Sequence, residues 1–279
     1  MTKREEDAAV HPIVGGLSTH RRGRATDPRT KSSLTDRELA GRLKSPDILR
    51  PEMPIEWKGS PHAWLSNFDI DEAMYQYSRL VPDFEYLGTM PVDFAEHNRT
   101  GKRCVKMCSA KPAKRVYTNK QLGAVVVNLD VHTGKGTHWV ALMLDCRDEA
   151  HPKLLYYDPT GRSPPRRWYQ QKSAFSVLLA AMPLAERSKA VHTAMYNTTR
   201  HQRRNSECGI FSMMVVDAMI AHVAFSDYCR GAINDDYAFK HRSIFYEAPD
   251  GFVQKHIDPD APARAPWTWQ DLFRSGRAA

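Results

Sequence analysis

No stretch of about 18 consecutive apolar residues occurs in this 279-residue chain, so no segment reads as a membrane-spanning helix. The opening MTKREEDAAVHPIVGG lacks the apolar centre of a secretory signal, and export is not expected. Cysteine is scarce and odd in number: Cys104, Cys108, Cys146, Cys208 and Cys229. Free thiols in a reducing compartment are the simpler expectation. Cys104 and Cys108 stand close together, but no second cysteine pair follows, which leaves them short of a zinc set. Neither a metal nor a cofactor is expected. No internal repeat is present, which excludes a solenoid. Acid is missing where base is concentrated. Residues 97–129 carry eight Lys/Arg and no Asp/Glu, and residues 161–204 carry nine against Glu186 alone, in a chain of net charge +8. Such stretches attract polyanions and make binding salt-sensitive, although a solvated surface has the same composition.

What is present is enough apolar sequence, 42%, for a substantial core. Residues 1–56 read as a basic arm, polar and without apolar periodicity through residue 33. Thr35 and Glu38 form a capping box that predicts a short helix over 36–44, ended by Pro46, Pro51 and Pro54. The core domain is expected over 57–279. Ile70, Ala73, Met74, Tyr77 and Leu80 share one helical face, which predicts a helix over 69–80. Short apolar runs at 122–129, 137–146 and 153–158 predict strands, and 190–199 a fourth. An amphipathic helix is expected over 165–182, and a helix apolar nearly all round over 208–225. This order predicts an α+β fold, a central mixed sheet packed between helices.

The chemistry concentrates around HQRRNSECGIF, residues 201–211. Cys208 falls at the predicted start of the buried helix, where unpaired N–H groups and the helix dipole favour a thiolate. Gln202, in the loop before it, is placed to aim an amide where the Cys208 N–H also points, a pair of donors suited to an oxyanion. Gly209 permits close approach of another chain. His138 begins one predicted strand and Asp158 ends the next, in YYDPTG. Antiparallel pairing of those strands brings the carboxylate to the imidazole and fixes its tautomer. Taken singly, each residue also fits a bland role: a surface histidine, a core cysteine, a turn aspartate.

His138-Trp139, Asp158, then Gln202 with five residues before Cys208-Gly209 resembles the adenovirus-protease and SUMO-protease superfamily of cysteine proteases. Trp64-Leu65-Ser66-Asn67 resembles the segment before the first core helix of SUMO-type members, departing by the serine and a shifted asparagine. The matched region runs roughly over 64–225. The resemblance implies a nucleophilic Cys208 with His138 and Asp158, and Gln202 in the oxyanion hole. It also implies a preference for Gly-Gly, with Trp64 and Trp139 covering a tunnel too narrow for a Cβ and Asn67 and Gly209 beside it. The chain looks most like Gly-Gly-specific proteases of large DNA viruses, which cut structural polyproteins during virion maturation. That reading places it in the virion and the host cytoplasm, with a polyprotein as partner and no membrane. Non-specific DNA is a further expected partner, through Arg166, Arg167, Arg203 and Arg204. The alternative is an isopeptidase for SUMO or ubiquitin-like modifiers, in cytoplasm or nucleus. An acetyltransferase on the same fold is a third, disfavoured by aspartate rather than glutamate at 158.

Overall fold

The computed structural model describes residues 10–12, 50–94, 116–119, 121–169, 178–179, 194–253 and 255. The expected helix over 36–44, Cys104, Cys108 and most of the basic stretch at 97–129 lie outside them. The fold is α+β around one six-stranded mixed sheet. Its strands are β1 (Val10–Pro12), β2 (Phe84–Pro91), β3 (Leu122–Asn128), β4 (Trp139–Asp145), β5 (Lys153–Tyr157) and β6 (Met195–Asn197), in the order β1-β6-β5-β4-β3-β2. The helices are α1 (Asn67–Leu80), α2 (Cys208–Ile220), α3 (Phe225–Arg230) and α4 (Asp235–Phe245).

β3 and β4 are buried at every position, as expected of central strands covered on both faces. One face packs against α1 and α2, and Trp139, Ala141, Met143, Leu155 and Tyr157 join the core there. The other face carries Val125, Val127, Val140, Leu142, Leu144 and Tyr156, covered by Trp168, Leu178 and Val116. α1 starts at Asn67, two residues before its predicted start, because Ser66 and Asp69 form a capping box. The serine that departs from the family segment is this cap.

Several elements differ from the sequence reading. β2 is an additional strand, parallel to β3, with a register break between Tyr86 and Thr89. Gly88 sits in that break at φ 101° and interrupts the alternation that would have marked the strand. The buried helix ends at Ile220 rather than 225, because His222 takes a left-handed conformation, φ 59°. α3 then follows as a separate helix. Of the expected helix over 165–182, the described part opens as a 3-10 turn, Arg166–Tyr169. Residues 10–12, within the arm, pair antiparallel with β6 as the sheet's edge strand, and Glu52 bridges to Glu247.

Candidate active site

α2 runs through the core with all of its residues buried, so its N-terminus holds Cys208 in one definite place, with the adjacent Gly209 against Trp139 at the start of β4. β4 and β5 are antiparallel with Ala141 opposite Tyr157. Continuing that register sets Asp158 across from Val140, one step along the same face from His138. His138 Nε2 donates to Asp158 Oδ1 at 2.8 Å, and the ring lies close enough to the Cys208 sulfur to interact with it electrostatically. With Nε2 committed to the carboxylate, Nδ1 is the nitrogen left for sulfur. Burial opposes charge on His138, but Asp158 and the Cys208 sulfur together outweigh it and raise the imidazole to about 9. At neutral pH the ring is therefore an imidazolium beside the sulfur.

Asp158 is fully buried. Its Oδ1 also accepts from Thr160 N–H at 2.8 Å and from the Thr160 hydroxyl at 2.7 Å. Asn197, in β6, clamps the backbone on either side of it: Nδ2 donates to Asp158 O at 2.7 Å, and Oδ1 accepts from Asp158 N at 2.8 Å. The chain then turns at Gly161, whose φ of +73° and 2.7 Å clearance to Thr198 O exclude a side chain.

Gln202 hangs from the same corner. The N–H groups of His201 and Gln202 both donate to Pro159 O, at 2.9 and 2.8 Å. Gln202 is buried, and its Oε1 has no hydrogen-bond partner among the described residues. The following loop is pinned from α4, where the Asp235 carboxylate accepts from Arg203 N at 2.9 Å and Arg204 N at 3.2 Å. His201 points away into the core, accepting from or donating to the Tyr157 hydroxyl at 2.8 Å, and burial pushes it down to about 4, so it is neutral.

The second wall is built on Gly209. A Cβ there would stand 3.2 Å from Leu65 Cδ1 and 3.3 Å from Trp139 Cδ1, so glycine is what lets this wall close over the helix. Trp139 Nε1 donates to Leu65 O at 3.0 Å, and the neighbouring Trp64 is 45% exposed. Asn67 is exposed at the first position of α1. Of the four arginines singled out, Arg166, Arg203 and Arg204 are exposed, the side chain of Arg167 lies outside the described residues, and Arg204 pairs with Asp236 at 2.7 Å.

His132 and His138 are spaced like a zinc pair, yet His132 bonds to Asp93 at 2.7 Å while His138 bonds to Asp158. No cluster of three or more metal-ligating side chains occurs among the described residues. The sequence reading did not single out Asn197, Thr160, Glu207 or Arg242. Glu207 had one visible signal, an acid directly before the helix-start cysteine.

Residues 74–247 match the family model of the Ulp1 protease family, C-terminal catalytic domain. The chain belongs to that family. It is a cysteine peptidase, and its family match extends beyond the region that the sequence motifs marked, to take in α3 and α4. A protein of Acanthamoeba polyphaga mimivirus named as a thiol protease is 23% identical over 235 residues, covering 78% of this chain and 68% of that protein. A cysteine protease of African swine fever virus is 26% identical over 199 residues, covering 65% of this chain and 67% of that protein. Among solved structures, the African swine fever virus protease aligns with a TM-score of 0.48 at 20% identity, covering 67% of this chain and 69% of that one. The yeast Ulp1 domain in complex with Smt3 aligns with a TM-score of 0.44 at 14% identity, covering 75% and 90%.

Proposed function

We propose that this peptidase cuts after Gly-Gly in the structural polyproteins of a large DNA virus during virion maturation, with Cys208 as nucleophile. The observation that carries the reading is the array Cys208–His138–Asp158, with Cys208 at the head of a buried helix and the imidazole, just before β4, held 2.8 Å from the Asp158 carboxylate and raised to about 9. In this scheme the Cys208 thiolate attacks the carbonyl carbon of the second glycine. The oxyanion takes hydrogen bonds from the Cys208 N–H and the Gln202 amide. His138 gives its proton to the departing amine, which leaves as the C–N bond breaks and an acyl-enzyme remains. A water molecule, deprotonated by the now neutral His138, attacks the thioester and releases the glycine carboxylate and the thiolate.

Support for glycine is indirect: Gly209 lets Leu65 and Trp139 pack tightly against the start of the thiol helix, where a Cβ on Gly209 itself would stand 3.2–3.3 Å from them, so the wall beside Cys208 is a close-fitting one. Trp64, on the chain next to Leu65 and half exposed, is the side chain that would lie over an entering peptide. Support for the viral setting is the naming of both relatives as viral proteases. One specific observation favours a second reading: the African swine fever virus relative also carries the name SUMO-1 cysteine protease. On that reading a folded modifier is the substrate. The purified protein would be offered Gly-Gly-X peptides alongside folded SUMO and ubiquitin precursors. Cleavage of the peptides alone is the expected result, and preferential cleavage of a folded precursor would transfer the assignment to the modifier protease.

A further inference from the structure

One buried ion pair joins the thiol helix to the segment that carries Trp64. Glu207, directly before Cys208, is 1% exposed, and its partner Arg242 in α4 is fully buried. The contact is bidentate: Arg242 Nε donates to Oε2 and Nη2 to Oε1, both at 2.9 Å. Ser206 Oγ donates to Oε1 at 3.0 Å, and His62 Nδ1 lies 3.4 Å from the same oxygen. The remaining amine of the guanidinium, Nη1, donates to Ala63 O at 3.2 Å. Trp57 Nε1 donates to that carbonyl too, and the guanidinium lies 4.1 Å over the Trp57 ring. Two residues on is Leu65, which holds the Trp139 indole through its carbonyl and stands against Gly209 with its side chain. A single guanidinium thus ties the head of α2 to the chain that forms the facing wall.

Stability alone is a weak reason for this pair, since the desolvation of two charges offsets most of their attraction. What a planar fork does well is fix distance and angle, because both N–H···O bonds must align at once. We propose that Glu207 and Arg242 are positioning residues that set the gap between the thiol and the Trp64–Leu65 wall, and thereby the selectivity for glycine over residues bearing a Cβ. Neither side chain meets the substrate. They act through Cys208 on one side and through Ala63–Leu65 on the other. The inference rests on the Gly-Gly reading above.

The test compares kcat/KM for a Gly-Gly-X peptide with that for the same peptide carrying alanine at either glycine. Both rates come from one preparation, so the folded fraction cancels in their ratio, and a merely structural role would lower both alike. The wild type is expected to favour glycine by at least about tenfold, as a pocket rejecting one methyl group does. In R242K, which keeps the charge but not the fork, the ratio falls toward unity. If R242K does not fold, the double variant E207Q/R242M, which buries no unpaired charge, carries the same measurement. A ratio within about twofold of the wild type in either folded variant overturns the positioning role and leaves the Gly-Gly reading intact. A wild type that cleaves both peptides equally overturns that reading, and the inference with it.

Discussion

One oxygen of Asp158, Oδ1, accepts from His138, from the Thr160 N–H and from the Thr160 hydroxyl. An amide oxygen at that position keeps all three contacts, so Asp158→Asn removes the charge and spares the geometry. The imidazolium then loses its main support. Turnover of Asp158→Asn should fall by about a hundred- to ten-thousandfold with KM little changed. Its alkaline limb should move down from near 9, which a pH–rate profile reads directly. The sign for stability follows from the same shift. His138 is raised from 6.5 to about 9, so its contribution is complete below pH 6.5 and is lost as pH rises through 9. Cys208→Ser should cost at least about a thousandfold in kcat/KM while melting stays near the wild type; retained cleavage would remove Cys208 as nucleophile. These residues were legible in the sequence because reactive side-chain types at a set spacing carry their own chemistry. Glu207 and Arg242 were not, because 35 positions separate an ordinary acid from an ordinary base and only the fold joins them.

Among the elements, β3, β4 and β5 announced themselves as short β-branched or apolar runs, and α1 as a spaced apolar face. β2 did not, because the Gly88 bulge divides its pattern into fragments too short to read. β6 is only three residues long, yet it steadies the site through Asn197. Asn197→Ala would leave the Asp158 N–H, the Asp158 carbonyl and the Thr199 carbonyl without that partner. Each such orphan costs about 1–3 kcal/mol when buried. The melting temperature should drop by roughly 5–15 °C for a chain of this size. Turnover should fall with it, since the carboxylate loses its fixed backbone. A thermal scan within a degree or so of the wild type would show that the clamp is not structural.

For the whole molecule, the question the sequence raised is charge. Eight and nine basic residues make seventeen over 97–129 and 161–204, against one acid. Much of this lies outside the described residues, which is why composition could point to a polyanion without showing a surface. Arg166, Arg203 and Arg204 are solvent-facing, and the last two flank the loop before Cys208. Duplex DNA should bind without sequence preference, its log affinity falling linearly with log salt. Replacing Arg166, Arg167, Arg203 and Arg204 by Glu should weaken that binding and spare most peptide cleavage. No duplex binding by the wild type at about 50 mM salt would remove DNA and leave the peptidase. The ion pair between Glu207 and Arg242 has a consequence for synthesis. A ribosome adds about 5–20 residues per second, so the carboxylate at the head of the thiol helix exists for about 2–7 seconds before its cation is made. Until then an unpaired charge sits where the fold must bury it. The tie between the thiol helix and its facing wall therefore cannot close until α4 has been synthesised, after Cys208 itself is already part of the nascent chain.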